Sequence, residues 1–296
     1  RQRGAPIMKC TEFNVAASDS ANLFVRYCVP RPADRCGRTM VIIHGTSEHG
    51  GRYLHAAEKA VARGWDVIIP DLRGHGRSDG IAVHIDYFER YLQDLDTIWQ
   101  YFELNPERTA VVGHSFGGLI SIRFAETRPS RLAALVPLSP LLGLRVKINM
   151  VTYALGRLMS FVAPTTRFQS KVPPEHTTRN SVVLARRASD PLLRRSVTAS
   201  WFFQMKQALR DAHEQAGAIT VPVLAMQAGD DLIVDPLAVE PWLEKTESVD
   251  RTLKILDKHY HELLNEEDWQ ETLLELLTWL EAKIQCGKTS VDRTTM

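Results

Sequence analysis

At 296 residues, with 44% hydrophobic and 24% charged side chains, the chain has the size and composition of one large soluble domain or of a core carrying an insertion. A formal net charge of +1 gives no electrostatic case for nucleic acid or a strongly anionic membrane. No apolar stretch approaches the length needed to span a bilayer, and no apolar run follows the N-terminal Arg1 to Pro6. These features favour a cytoplasmic or peripheral-membrane protein, although the first residue is not Met and a native leader could precede it.

Taken in order, residues 11–15 and 23–29 alternate apolar and polar side chains about a turn at 17–22, which predicts an antiparallel hairpin at a sheet edge. Pro30, Pro32 and Gly37 mark a loop, and the apolar run 39–43 reads as a strand covered on both faces. A helix is expected over 52–63, ending at Gly64, then a strand over 66–69. Residues 87–103 form an amphipathic helix with Phe88, Tyr91, Leu92, Leu95, Ile98, Trp99 and Phe102 on one face. A strand at 109–112 runs into Gly113-His114-Ser115-Phe116-Gly117, and helical character resumes over 119–128. After a strand at 133–138 the alternation breaks: residues 141–217 hold helical segments rich in Met, Phe, Trp and Arg and no convincing parallel strand. Strand and helix return at 221–227, 236–247, 251–256 and 268–284.

This alternation predicts the α/β class: a mostly parallel twisted sheet of about eight strands flanked by helices. The core spans 1–140 and 218–286, a helical cap is inserted at 141–217, and a flexible tail covers 287–296. Cys10, Cys28, Cys36 and Cys286 have no metal-site spacing. Cys10 and Cys28 are expected to be free, part-buried thiols in strands, and a Cys28–Cys36 bridge is the pairing allowed in an exported protein.

Strand, tight turn and helix with Gly-x-Ser-x-Gly in the turn is the arrangement that lifts a serine hydroxyl above a sheet edge, so Ser115 is the candidate nucleophile. A serine needs a base, and the base needs an orienting acid. In this topology the acid follows the strand 221–227. There Asp235 is explained as a helix cap before Pro236, which leaves Asp230 and Asp231. The histidine follows the strand 251–256: His261 opens the apolar stretch toward the last helix, and His259 is expected to face solvent. Backbone N–H groups of Phe116 and Thr46, the latter made available by the turn at Gly45, are the candidate oxyanion donors. The run Asp71 to Ser78 reads as a structural wall beside the site, and Arg186-Arg187 and Arg194-Arg195 as a solvated cap face.

These stretches resemble the α/β-hydrolase fold, and within it the monoacylglycerol lipase and lysophospholipase (serine aminopeptidase-like) branch. The resemblance is carried by His44-Gly45-Thr46-Ser47-Glu48-His49-Gly50-Gly51-Arg52-Tyr53, Asp71-Leu72-Arg73-Gly74-His75-Gly76-Arg77-Ser78-Asp79-Gly80, Gly113-His114-Ser115-Phe116-Gly117-Gly118, Gly229-Asp230-Asp231-Leu232-Ile233-Val234-Asp235 and Tyr260-His261-Glu262-Leu263-Leu264-Asn265-Glu266. It implies a triad of Ser115, Asp231 and His261, the oxyanion donors Thr46 and Phe116, no cofactor and no metal. The implied partner is a small lipid or ester substrate. The cap does not follow the family residue by residue. Its apolar content, including Met150, Tyr153, Leu158, Phe161, Trp201 and Phe202, suggests an acyl pocket or a lid making transient membrane-surface contact. A carboxylesterase, thioesterase or peptidase of the same fold, or a binding protein with an idle triad, is the competing expectation.

Overall fold

A computed structural model describes residues 8–145, 149–170 and 172–287. Its strands and helices follow in chain order as β1 (Lys9–Ala16), β2 (Asn22–Val29), β3 (Arg38–Ile43), α1 (Leu54–Ala62), β4 (Trp65–Pro70), α2 (Glu89–Tyr101), β5 (Thr109–His114), α3 (Phe116–Thr127) and β6 (Ala134–Leu138). The insertion carries α4 (Met150–Val162), β7 (Arg167–Gln169), α5 (Ser181–Ser189), β8 (Ser196–Thr198) and α6 (Ala199–Glu214). The core resumes with β9 (Val223–Ala228), α7 (Val239–Glu244), β10 (Arg251–Leu256) and α8 (Trp269–Lys283).

Eight strands form one sheet in the order β1-β2-β4-β3-β5-β6-β9-β10. The β1–β2 hairpin is antiparallel, β2 meets β4 antiparallel, and every pairing from β4 to β10 is parallel. Because side chains alternate across a strand, the continuous apolar runs feed two cores at once. Val41, Ile43 and Val111 pack on one face with Tyr91, Leu95 and Trp99 of α2 and the apolar side of α3. Met40, Ile42 and Val112 pack on the other with Ala57 and Val61 of α1 and Leu273, Leu276 and Leu280 of α8.

Three helices begin differently from expectation, one of them the helix expected at 236–247, which opens as a 3-10 turn, Pro236–Ala238, before α7. The helix expected at 52–63 opens as a 3-10 turn, Gly50–Tyr53, before α1. The helix after Ser115 starts at Phe116, through Gly117 and Gly118, because those glycines lie flat against their neighbours. A Cβ on Gly117 would sit 2.2 Å from the Ile43 carbonyl oxygen, and one on Gly118 would sit 3.0 Å from Pro140. The inserted stretch also holds a short antiparallel pair, β7 with β8, too brief for alternation to reveal. The tail expected at 287–296 lies, beyond Gly287, outside the described residues.

The expectation for the cysteines is overturned. Lys9 to Ala16 pair with Val29 to Asn22 in a register that sets Cys10 directly across from Cys28, and the two are joined in a disulfide. Cys36 is therefore not the partner of Cys28.

Where α3 meets the insertion's return, Glu126 is buried beside Arg123, which also reaches Gln215 at 3.2 Å. Burial pushes the Glu126 carboxyl up to about 8 from 4.5, more than the Arg123 guanidinium pulls it down. The unfolded chain therefore releases this proton from about pH 4.5 upward while the folded chain keeps it to about pH 8. The stability it contributes is present in full below the lower value and is lost as pH rises through the upper one. Urea unfolding at pH 5, 7 and 9 is expected to show Glu126→Gln gaining on the wild type as pH rises, by on the order of a few kcal/mol at pH 9. A constant difference across that range would remove the assignment.

Candidate active site

β5 ends against Ser115, whose backbone sits at φ +53°, ψ −115°, a region L-residues rarely adopt. The strain is held by three backbone hydrogen bonds. The Ser115 N–H donates to the Leu138 carbonyl at 2.9 Å, and its own carbonyl accepts from Leu119 and Leu141 at 3.0 Å each. Gly113 completes the turn, since a Cβ there would sit 2.3 Å from the Gly117 carbonyl oxygen. Among the described residues the Ser115 hydroxyl makes no hydrogen bond, and the residue is 9% exposed.

The loop after β3 closes over the same point. The site of a Cβ on Gly45 lies 3.2 Å from Ser115 Cβ, so only glycine lets this backbone approach the serine. The Gly45–Thr46 peptide plane is fixed from its carbonyl side. The Leu72 N–H donates to His44 Nε2 at 2.9 Å, which leaves the proton on Nδ1, and Nδ1 donates to the Gly45 carbonyl at 2.7 Å. Burial holds the His44 pKa below the ordinary value, consistent with that neutral tautomer. The N–H of Thr46 belongs to this same plane. Among the described residues, neither that N–H nor that of Phe116 has a hydrogen-bond partner.

Asp231 and His261 are brought together: His261 Nδ1 lies 2.7 Å from Asp231 Oδ2. Asp231 Oδ1 accepts from the Ile233 and Val234 N–H groups at 2.9 and 3.0 Å, and Oδ2 also accepts from Gln227 Nε2 at 3.2 Å. Burial alone would push this carboxyl up. The charge and hydrogen bond of His261 and the two amides outweigh burial and hold it below the ordinary value. Asp230 is exposed and offers only its N–H, to the His259 carbonyl at 3.1 Å. Arg145 Nη1 donates to the Asp231 carbonyl at 2.6 Å, so the start of the insertion braces the acid loop. His261 reaches the serine turn through His114, whose ring centroid lies 4.8 Å from its own and whose Nε2 donates to the His261 carbonyl at 3.2 Å.

Contrary to expectation, His259 is buried: its Nε2 meets Asp268 Oδ1 at 2.9 Å and its Nδ1 the Asp257 carbonyl at 3.1 Å. A second departure is larger. Glu48 Oε1 accepts from the Gly45 N–H at 2.6 Å, Tyr53 Oη at 2.9 Å and His114 Nδ1 at 3.2 Å, while Oε2 pairs with Arg52. Arg52 Nη2 reaches Glu262 Oε2 at 2.6 Å, and Arg187 Nη1 reaches Glu262 Oε1 at 3.0 Å. Arg187, expected on a solvated face, is thus part of a buried ionic network under the loop after β3. Both His114 nitrogens face acceptors, which suits an imidazolium. Burial would lower its pKa, and the Glu48 hydrogen bond and charge raise it instead. Burial would likewise raise Glu48, but the Arg52 charge and the His114 hydrogen bond hold it well below the carboxylate range.

The network carries a prediction. Glu48 and Glu262 are each 3% exposed, so removing Arg52 takes one cation from both and leaves Glu48 to His114 and Glu262 to Arg187. Arg52→Met is expected to lower stability by about 3–5 kcal/mol in denaturant unfolding. Adding Glu262→Gln should recover part of that loss. No recovery would mean that packing, not charge, is what Arg52 supplies.

The insertion also touches the loop directly: the Arg194 N–H donates to the Ser47 carbonyl at 3.0 Å, and Asp190 Oδ2 meets His49 Nε2 at 2.9 Å. Of the cap residues singled out in the sequence, Trp201 is buried against the Phe116 ring (4.8 Å between centroids) and Phe202 is half-buried. Met150, Tyr153, Leu158 and Phe161 are exposed on α4. Among the described residues no cluster of His, Cys, Asp and Glu could hold a metal ion.

Compared with known proteins, the family described as serine aminopeptidase, S33, matches residues 35–268, most of the chain and both halves of the core. The chain belongs to this family. The serine hydrolase is 31% identical to phospholipase YtpA of Bacillus subtilis (strain 168), over 81% of this chain and 93% of that one. It is 28% identical to the monoglyceride lipase of Rattus norvegicus, over 90% and 89%. The fold is similar to that of a crystal structure of Paleococcus ferrophilus monoacylglycerol lipase, with a TM-score of 0.79 at 26% identity over 94% of this chain and 99% of that one. The hydrolase thus has the α/β-hydrolase fold that its serine turn and the glycine-rich loop after β3 suggested.

Proposed function

We propose that this serine hydrolase cleaves carboxylic esters with a lipophilic acyl group, monoacylglycerols and lysophospholipids foremost, through an acyl-enzyme. Ser115 attacks the carbonyl while His261 takes its proton; Asp231 orients the ring and stabilises its charged form. The N–H groups of Thr46 and Phe116 receive the oxyanion. His261 then returns the proton to the leaving alcohol and activates the water that releases the acid. The open Ser115 hydroxyl agrees with this scheme, since catalytic hydrogen bonds often tighten only with substrate bound.

The observation that carries the lipid reading is the outer side of α4. Met150, Val151, Leu155, Leu158, Phe161 and Val162 are each more than half exposed, and the only buried residue of that helix is Gly156. A soluble domain rarely leaves so much apolar surface in water, and a helix of this kind lies naturally in a lipid interface. The names of its relatives, a phospholipase and monoglyceride lipases, agree. No helix among the described residues is long and apolar enough to cross a membrane, so the contact proposed is peripheral.

The test is hydrolysis of a chain-length series of monoacylglycerols and lysophospholipids beside water-soluble nitrophenyl esters. A preference for short soluble esters would overturn the lipid reading. In the same assay, Leu158→Asp with Phe161→Asp is expected to cut turnover of emulsified or vesicle-borne substrate by about tenfold or more, through lost interfacial burial, and to leave a soluble ester within about twofold. Equal losses on both would place these side chains in folding, not at an interface.

A further inference from the structure

Outside the catalytic region, two thiols meet at the opposite end of the sheet. Cys36 stands in the connection between β2 and β3, and Cys286 just beyond α8. Both are free; Cys286 is exposed and Cys36 half-buried. They are brought together from both sides. The Cys36 N–H donates to the Gly64 carbonyl at 3.0 Å, and the Gly287 N–H donates to the Cys36 carbonyl at 2.9 Å. Buried Arg38 reaches the Ile284 carbonyl at 3.5 Å, the Arg63 carbonyl at 3.3 Å and Glu281 at 3.8 Å. Gly64, at φ +87°, forms the floor: a Cβ there would stand 3.0 Å from Cys36 Sγ. The Cys286 and Cys36 thiols are close enough to interact.

The backbone hydrogen bond from the residue after Cys286 to the Cys36 carbonyl sets the two cysteines side by side, with their thiols close enough to interact, which is the approach a disulfide starts from. The surrounding bonds fix both backbones, so closure needs side-chain rotation and little else. We propose that Cys36 and Cys286 are an oxidisable pair that closes to a second disulfide, stapling the end of α8 to the start of the strand leading into the oxyanion loop.

The oxidant is a low-molecular-weight disulfide of the glutathione type. The thiolate of Cys286, the more accessible of the two, attacks one sulfur of the small disulfide and displaces a thiolate. The Cys36 thiolate then attacks the Cys286 sulfur of the mixed disulfide and displaces the second. The two protein thiols lose two protons and two electrons, and the oxidant gains them as two small thiols. The loop closed takes in nearly the whole chain, the case in which a cross-link most restricts the unfolded ensemble.

The experiment equilibrates the full chain, natively folded, with oxidised glutathione, blocks remaining thiols, and maps non-reduced peptides by mass. The expected product is one peptide joining Cys36 to Cys286, two hydrogens lighter than the sum of its reduced parts. In a Cys10→Ser, Cys28→Ser background, reduction should lower the melting temperature by several degrees, and Cys286→Ser should abolish that difference. Turnover of a soluble ester should stay unchanged throughout. Both thiols found blocked as free cysteines in the wild-type chain after equilibration would overturn the proposal. So would either one found bound to glutathione alone, or bridged to another molecule.

Discussion

Ser115→Ala is expected to lower kcat on a nitrophenyl ester by about 10⁶-fold, with the residual rate supplied by the oxyanion donors and substrate binding. The folded state should hardly notice. Among the described residues the hydroxyl makes no hydrogen bond, so none is lost, and alanine bears the same positive φ at the same steric cost. The three backbone bonds that hold the turn involve the N–H and carbonyl of residue 115, which alanine keeps. Melting temperature and turnover should therefore separate cleanly: the first within a degree or two, the second gone. A fluorophosphonate probe should label the wild type at Ser115 and leave the variant unlabelled. Turnover within tenfold of wild type, or labelling at another serine, would show that the nucleophile lies elsewhere.

How much of this was legible beforehand depends on how far apart in the chain the cooperating atoms are. Ser115 and its glycines are local: the turn, its steric needs and its position between strand and helix lie within one short run, and the structure places them as read. The parallel strands were legible because covering both faces leaves little room for polar positions, as 40–43 shows. Asp230 and Asp231 could not be separated by local pattern, because both follow the same strand. What distinguishes them is which one turns inward to the Ile233 and Val234 amides and His261, a consequence of the loop's path.

The ionic network was illegible for a stronger reason. Glu48, Arg52, Arg187 and Glu262 come from three distant parts of the sequence, and a charge is read as solvated until its partner is known. The one available signal was Glu48 and Arg52 sharing the loop after β3, four residues apart, with a buried aromatic, Tyr53, beside them. The Cys10–Cys28 bridge shows the same limit in a strand. Both residues were placed in the right hairpin, yet the pairing follows only from the register, which a turn of uncertain length does not set.

Asp231→Asn tests the site at its most specific point, and kcat is expected to fall about 10⁴-fold with KM little changed. The direction follows from counting donors and acceptors. Ile233 and Val234 both present N–H groups, so the amide oxygen of the new asparagine must face them, and its NH₂ must take the place of Oδ2. That NH₂ now confronts His261 Nδ1 and the Gln227 amide. Gln227 can turn over so that its Oε1, buried without a partner, accepts from the new NH₂, although its Nε2 then gives up the Ala228 carbonyl at 3.0 Å. His261 cannot adapt so cheaply. Its Nδ1 must become the acceptor, which moves the proton to Nε2, the nitrogen that takes the proton of Ser115 in the proposed mechanism. The flip costs one buried hydrogen bond, that of Gln227 Nε2 to the Ala228 carbonyl, so the variant should fold with a stability loss of about 1–3 kcal/mol and still bind substrate while the proposed base is in the wrong tautomer. Asp230→Asn is the control: an exposed side chain that engages neither His261 nor the amides should leave kcat within about twofold. If the two substitutions cost the same, the acid does not act through the imidazole and the assignment of Asp231 falls.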